Sequence, residues 1–413
     1  MTNLRAVFLL PIVLIVGGIL PADATDPTAK KPRSGEGAWK VTGTRADDPR
    51  YAVLLRVLER ARTSAGRRLA SELGLVPFPM RPIEWDLEVD ATLSEAASSV
   101  PGFLTAGRTV VEPGGVRVTL PAPRYLARPE SAALVVAHEA CHAVLASVLG
   151  GTRYNALPQW FREGIALWFS GEGSTRVDEQ IALTVFGGAA SDSFLVGASL
   201  VSDGSGVSAA EAFLAFDGLW LQIGAAGRSE LVAGLRGGWT LPHAVRELSG
   251  WSPVQWQVAA LKDARKRIRA RLPRQDESRF RASLELRGQG QSEAAARIWT
   301  ALREGASTGS LRGTLDYLLT GQRLERARRT RGPDASVTAK LRDDLRAIVG
   351  PGTHLWQPEL LILLGDTLRL RGEISASEAA YREVVEAYPQ DGKSRARALR
   401  RLSEPQPRAA AGR

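Results

Sequence analysis

Hydrophobic and polar residues follow helix and strand periodicities in turn along the first half of the chain. Over residues 51–73 apolar side chains recur every three or four positions, which predicts an amphipathic helix. Over 83–89 apolar and acidic residues alternate, which predicts a half-buried strand. Segments 109–112 and 116–120 flank a Pro-Gly-Gly turn and predict a β-hairpin.

Two further helices follow the hairpin. One is predicted over residues 131–149, with Pro129 before its first turn and two glycines after its end. A second is predicted to begin near Pro158 and to end by Gly171. Beyond residue 208 the pattern is helical almost to the C-terminus. The order of elements predicts an α+β domain with a small mixed sheet, followed by an all-α region.

The N-terminus has the pattern of an export signal. Arg5 precedes an apolar run over residues 6–20, and Pro21-Ala22-Asp23-Ala24 suits a signal-peptidase site. We therefore expect residues 1–24 to be a signal peptide and the protein to be exported, periplasmic or secreted; an uncleaved signal would anchor it. Residues 25–50 are polar and aperiodic, and are predicted to form a flexible linker. No later segment is expected to be long and apolar enough to span a membrane.

Composition narrows the class of protein. A chain of 413 residues with 44% hydrophobic residues is expected to fold into two or three globular domains. The net charge is +10, with 47 Arg against 7 Lys, and residues 262–281 hold nine of these cations against three acids. We interpret this segment as a solvated helix face at a domain junction rather than a binding patch, and expect no nucleic-acid partner. A single cysteine, Cys141, excludes an intrachain disulfide.

The predicted helix over 131–149 contains two candidate metal ligands. It contains His138-Glu139-Ala140-Cys141-His142, so the two histidines lie one turn apart on the same face and both imidazoles can bind one ion. Glu139, one position further round the helix, can reach a water on that ion. The alternative is a pair of core histidines, but buried polar groups need partners, and a metal would supply one. The spacing therefore predicts a zinc site.

A third ligand is expected from a nearby element, because catalytic zinc usually has three protein ligands and one open position. Glu163 is the carboxylate in an otherwise apolar helical turn, 21 residues after His142, and small residues follow it. A loop and a returning helix can bring it alongside the histidines. The alternative for Glu163 is an exposed helix glutamate.

The pattern H-E-x-x-H followed by P-x-W-x-x-E-G-x-A over residues 158–166 resembles the peptidase MA-like gluzincins, a family of zinc metallopeptidases. The resemblance covers roughly residues 51–271 and implies a zincin-like domain. It implies zinc bound by His138, His142 and Glu163, one ion per chain, with Glu139 as general base. It also implies that strand 116–120 pairs with substrate through an exposed edge.

The chain departs from this family at two places. Thermolysin-like members have an aspartate four residues after the third ligand, where this chain has Leu167. Gluzincins also commonly have a Tyr or His that donates to the oxyanion, and the candidates here are His243 and Tyr154, each with a structural role as its alternative. Cys141 is expected to be a core residue rather than a ligand.

The C-terminal region shows spacings similar to tetratricopeptide repeats, most clearly over 364–389, then over 286–299, and weakly at Tyr317 and Gly321. We predict a helical repeat solenoid over 275–403 that binds a protein partner, followed by a disordered tail over 404–413. A generic helical bundle is the alternative. The boundary with the zinc domain is expected near residues 271–275.

The sequence as a whole predicts an exported zinc metallopeptidase, with protein or peptide substrates and endopeptidase activity. In this hypothesis a zinc-activated water attacks the peptide carbonyl and Glu139 is the general base. The alternative is a catalytically silent zincin-like domain that acts with the repeats as a protein-binding scaffold.

Overall fold

The structure is a computed structural model that describes residues 39–43, 49–74, 82–88, 107–112, 114–126, 129, 132–186, 208–271, 274–306, 309–329, 335–349, 356–388 and 392–404. All of them belong to one unit, Glu36–Arg413. The predicted signal peptide, most of the predicted linker and the tail after Glu404 lie outside the described residues.

The described residues are mostly helical and contain one small sheet. The strands are β1 (Trp39–Thr42), β2 (Ile83–Glu88), β3 (Arg108–Val111) and β4 (Val116–Pro121). The helices of the first half are α1 (Pro49–Leu73), α2 (Pro123–Leu126), α3 (Ala132–Leu149), α4 (Gly151–Ala156), α5 (Gln159–Ser170), α6 (Gly173–Phe186), α7 (Ala209–Arg236), α8 (Leu241–Ser249) and α9 (Pro253–Arg271). The remaining helices are α10 (Arg274–Gly288), α11 (Ser292–Glu304), α12 (Gly309–Arg329), α13 (Ala335–Val349), α14 (Gln357–Leu370), α15 (Ile374–Ala387) and α16 (Gly392–Ser403).

The four strands form one mixed sheet in the order β1-β2-β4-β3. β1 and β2, and β2 and β4, pair in parallel, whereas β3 and β4 form the predicted antiparallel hairpin. The predictions for α1, β2, α3 and α5 are confirmed. Part of the predicted linker is instead strand β1, whose Trp39 packs on Trp85 of β2 at 5.0 Å between ring centroids.

The expectation that residues 116–120 form an exposed sheet edge is wrong. β4 lies between β2 and β3, so both of its sides are used for strand pairing. The outer strand on this side of the described sheet is β3. The difference arises because β2 and β4 pair in parallel, and such a pairing between segments far apart in sequence leaves no local signal.

Helix α3 lies at the centre of the first core cluster, between α1, α5 and the sheet. It is apolar on almost every side, as a helix surrounded by protein should be. Among the described helices it is also the one long and apolar enough to cross a membrane, with 78% of that stretch buried. The expectation that no later segment has such a composition is therefore wrong, and burial in the core explains the composition.

The second core cluster contains residues from both sides of the predicted domain boundary. Val177 and Ile181 of α6 and Phe213 of α7 share it with Phe280 and Trp299 of α10 and α11. From α10 onwards each helix packs on the next one along the chain. Helix α14 also packs on α12 and on α16. A third cluster fills this end of the chain. A domain boundary near residues 271–275 stays a prediction.

The basic segment 262–281 contributes to this packing. Arg267 of α9 pairs with Asp217 of α7, and Arg271 pairs with Asp178 of α6 at 3.0 Å. Lys262 is exposed, as expected of a solvated face. The helix therefore has a solvated side and a side that binds the first half of the protein through ion pairs.

Candidate metal centre

Two helices bring three potential metal ligands together. His138 and His142 lie one turn apart on α3, and their Nε2 atoms are 3.1 Å from each other. Oε2 of Glu163, on α5, is 3.4 Å from Nε2 of His138 and 3.5 Å from Nε2 of His142. The three side chains are buried or half-buried and form a group that could hold a metal ion. This is the group that the sequence predicted.

Glu163 reaches the histidines because α5 lies in a tightly packed position. The next residue, Gly164, packs directly on α7, where a Cβ atom would lie 2.4 Å from the carbonyl oxygen of Ala212 and 2.4 Å from Cβ of Phe216. No side chain fits there without moving α5 away from α7. Gly164 therefore lets α5 pack closely against α7, the close helix packing that the small residues after Glu163 suggested in the sequence.

The spacing of the three donor atoms fits a tetrahedral ion. Ligand atoms about 2.0–2.1 Å from a tetrahedral zinc lie about 3.3–3.4 Å from one another. The observed separations of 3.1, 3.4 and 3.5 Å bracket that value. Two imidazole nitrogens and one carboxylate oxygen are also a donor set that zinc accepts. The residues present therefore fit a zinc ion with one open coordination position.

The carboxylates around the first histidine favour its protonated form. Burial disfavours the charged imidazole, but the hydrogen bond and charge of Glu163, with the charges of Glu139 and Glu172, raise the pKa of His138 to about 9. Burial acts against the carboxylate of Glu163 as well, but the two histidines hold its pKa far below the usual range. The negative charge of these carboxylates therefore favours a cation beside the two histidines.

Glu172 supplies a carboxylate behind His138. Its Oε2 lies 3.7 Å from Nδ1 of His138, on the side of the ring opposite the ligand atom. Ser170 donates a hydrogen bond to Glu172 at 3.1 Å, and Arg176 pairs with it at 3.0 Å. These groups keep the pKa of Glu172 below its usual value despite burial. A carboxylate thus lies beside His138 at Glu172, whereas Leu167 is buried in the second core cluster.

Tyr154 lies behind the second histidine. Its hydroxyl is 2.9 Å from Nδ1 of His142 and is buried. Burial, and then the charge of Glu163, raises the pKa of Tyr154, so its hydroxyl stays neutral. If Nε2 of His142 binds a metal, Nδ1 carries the proton and donates a hydrogen bond to the tyrosine oxygen. The role of Tyr154 as an oxyanion donor stays a prediction. In the structure its hydroxyl is paired with His142.

The other sequence-predicted residues lie in two different environments. Glu139 is 7% exposed on α3, beside the ligands, and accepts a hydrogen bond from Thr109 of β3. His243 is exposed on α8, where it packs against Trp239 and faces Glu247. Its described contacts therefore do not join it to the three ligands. Cys141 is buried, as predicted, and burial together with Glu163 raises its thiol pKa.

Sequence reasoning missed Glu172, between α5 and α6, and Thr109 of β3, and the positions of both depend on tertiary packing. Glu172 follows the last residue of α5 by two positions, so a signal was available: a second carboxylate close to Glu163 in sequence. No such signal marks Thr109, because the sequence does not distinguish it from other hydroxyl residues in predicted strands.

Comparison of the chain with protein-family models, with curated proteins and with solved structures finds no match.

Proposed function

We propose that this protein is a zinc-dependent metallopeptidase that hydrolyses internal peptide bonds. The observation that carries the proposal is the convergence of Nε2 of His138, Nε2 of His142 and Oε2 of Glu163 beside the buried carboxylate of Glu139. A structural zinc site is usually closed by four protein ligands, whereas this group offers three. A zinc ion held by these three residues would have its fourth position left for a water or a substrate carbonyl.

The chemistry divides between the ion and the side chains. When zinc is bound, it is a Lewis acid that lowers the pKa of a water molecule and polarises the carbonyl of the substrate. His138, His142 and Glu163 hold it. Glu139 takes the proton from the attacking water and returns it to the leaving amine. Glu172 and Tyr154 orient the two imidazoles, because each faces the nitrogen that does not bind the ion.

The substrate segment is proposed to lie along β3. β3 is the outer strand of the described sheet, and one of its sides pairs with β4. Its other side has no strand partner among the described residues. A substrate in extended conformation would add to this side through backbone hydrogen bonds, which suits a peptidase that accepts varied side chains. Thr109 of the same strand contacts Glu139, so the strand adjoins the proposed base.

The wider architecture supports the same assignment. An active-site helix packed on a small mixed sheet, with the third ligand on a following helix, resembles the zincin domain of peptidase MA-like gluzincins. The successive packing of α10 to α16 supports a tetratricopeptide-like solenoid, which would bind a protein partner or dock the substrate. Export rests on the signal pattern of residues 1–24.

One observation favours the alternative, a catalytically silent domain that acts with the repeats as a scaffold. The hydroxyl of Tyr154 is engaged by His142, and His243 lies on an exposed face of α8. The two candidate oxyanion donors are thus occupied elsewhere in this conformation. A silent domain would bind zinc and hydrolyse nothing.

The experiment that separates these functions compares wild type with Glu139→Gln. Glutamine keeps the size of the side chain but cannot accept the proton, so hydrolysis of an unstructured protein should fall by about 10²–10⁴-fold. Zinc content and thermal unfolding should not change. Full zinc content without hydrolysis in wild type would support the silent scaffold, and equal hydrolysis by both proteins would remove Glu139 from the mechanism.

A further inference from the structure

One face of β3 rests on the active-site helix and holds its glutamate. Residues 107, 109 and 111 point to the same side, as alternate residues of an extended strand do. Gly107 approaches so closely that a Cβ atom there would lie 2.8 Å from Cγ of Glu139. Thr109 contacts the carboxylate of Glu139, and Val111 packs on the backbone of Gly151, just after α3.

The hydroxyl of Thr109 contacts one carboxylate oxygen of Glu139 and, at the longer distance of 3.4 Å, the backbone carbonyl oxygen of the same residue. Oγ1 of Thr109 donates a hydrogen bond to Oε2 of Glu139 at 2.6 Å. No hydrogen bond to the other oxygen, Oε1, is found among the described residues. A buried carboxylate without a donor would be costly, and one short bond to a charged acceptor is of the stronger kind. The two oxygens of Glu139 are therefore unequal: Oε2 accepts the bond from Thr109, and Oε1 lies against Gly107 with no hydrogen bond among the described residues.

We propose that Thr109 is a positioning residue for the base: its hydroxyl fixes Oε2 of Glu139 so that Oε1 is the atom that accepts the proton. The inference rests on the proposed peptidase activity. It also links two parts of the site, because the strand proposed to bind the substrate is the strand that orients the base. Gly107 is required in the same arrangement, since a side chain there would displace the carboxylate.

The test uses full-length zinc-loaded protein and three variants. Thr109→Val removes the hydroxyl and keeps the shape of the side chain, and Thr109→Ser keeps the hydroxyl. Thr119→Val makes the same change on the neighbouring strand β4, opposite Arg108, away from Glu139. Zinc content, thermal unfolding, kcat and KM on an unstructured peptide are measured for each.

We expect Thr109→Val to lower kcat by about 10- to 100-fold, the range for a lost hydrogen bond to a charged group. KM and zinc content should stay near wild type, and Thr109→Ser should recover most of kcat. Thr119→Val should leave kcat unchanged. Equal kcat in the two valine variants would overturn the proposal. So would a loss of kcat in Thr109→Val that follows a loss of zinc or of thermal stability, because Thr109 would then only hold β3 on α3.

A second measurement does not depend on turnover. A peptide hydroxamate binds a zinc site and gives up a proton to a nearby base, so its affinity reports on the position of Glu139. Calorimetry should show weaker binding by Thr109→Val and by Glu139→Gln, and unchanged binding by Thr119→Val. If wild type fails to hydrolyse peptides, the proposed function fails while this measurement still tests Thr109. If wild type is active and Thr109→Val matches it in both measurements, only the inference fails.

Discussion

The phenol of Tyr154 meets the imidazole of His142 at the nitrogen that faces away from the ligand cluster, with 2.9 Å between Oη and Nδ1. Tyr154 lies on α4, a short helix between the two ligand-bearing helices. The guanidinium of Arg162 lies over its ring, 5.2 Å from the centroid. The segment that connects the ligands therefore also orients one of them.

This arrangement and its counterpart at Glu172 give the first prediction. Groups that orient metal ligands typically change metal affinity by about 10–100-fold when removed. We expect Tyr154→Phe and Glu172→Gln each to weaken zinc binding by an amount in that range, because the ring of His142 or His138 loses the group behind it. Competition with a chelator of known affinity measures the change.

Glu179→Gln is the matched control for Glu172→Gln. Glu179 pairs with the same arginine, Arg176, at 2.9 Å, and no contact joins it to His138. If the two variants weaken zinc binding equally, the effect comes from the Arg176 ion pairs and the stability of α6. The assignment of Glu172 to His138 would then be wrong.

The second prediction concerns the ligand set. Wild type should bind about one zinc per chain, and His138→Ala, His142→Ala and Glu163→Ala should each lose most of it, since two protein ligands seldom hold zinc. His243→Ala should keep it, because this histidine is exposed on α8. Elemental analysis of the purified proteins decides the matter. Full zinc in all three ligand variants would show that the ion lies elsewhere.

The third prediction concerns pH. The pKa of His138 in the metal-free protein is raised to about 9 by Glu163, Glu139 and Glu172 against the effect of burial, so zinc must displace a proton. Zinc affinity should therefore rise by about tenfold per pH unit and level off above about pH 9. Chelator competition across this range measures the slope. A flat profile would show that His138 is neutral before zinc binds.

The same shift predicts the opposite trend for the stability of the metal-free protein. A histidine whose pKa is higher in the folded state than its usual 6.5 stabilises the fold fully at pH below that value. This contribution should be lost as the pH rises through about 9. Denaturant unfolding of zinc-free wild type follows the loss, and zinc-loaded protein should not show it.

The fourth prediction concerns a chain that ends near Lys262. The domain boundary predicted near residues 271–275 implies that such a chain binds zinc. In the structure, however, the second core cluster would lose Phe280 and Trp299, and α6 would lose its ion pair with Arg271. Glu172 immediately precedes α6. We therefore expect weaker zinc binding and an early unfolding transition, measured by chelator competition and calorimetry.

A chain that ends after Arg329 is the control for that truncation. It keeps α10 to α12 and with them the second cluster, and it loses α13 to α16, which supply most of the third. It should bind zinc much as the full chain does. Wild-type zinc affinity in the shorter chain would contradict the prediction and support a separable zinc domain.

The sequence alone determined the local chemistry. The spacing of His138 and His142 places them on one helical face whatever surrounds that helix, and Glu163 stood out because a charged residue in an apolar turn needs a partner. Amphipathic and alternating patterns likewise located α1, β2, α3 and α5, since helix and strand periodicity is a property of consecutive residues.

Only the tertiary structure decided which elements meet. β2 pairs in parallel with β4, which moved the outer edge of the sheet to β3, and α6 packs on helices beyond the predicted boundary. The contacts that orient the site, from Thr109 to Glu139 and from Glu172 to His138, join residues about 30 positions apart. Such contacts depend on packing between elements, and no periodicity in the chain encodes it.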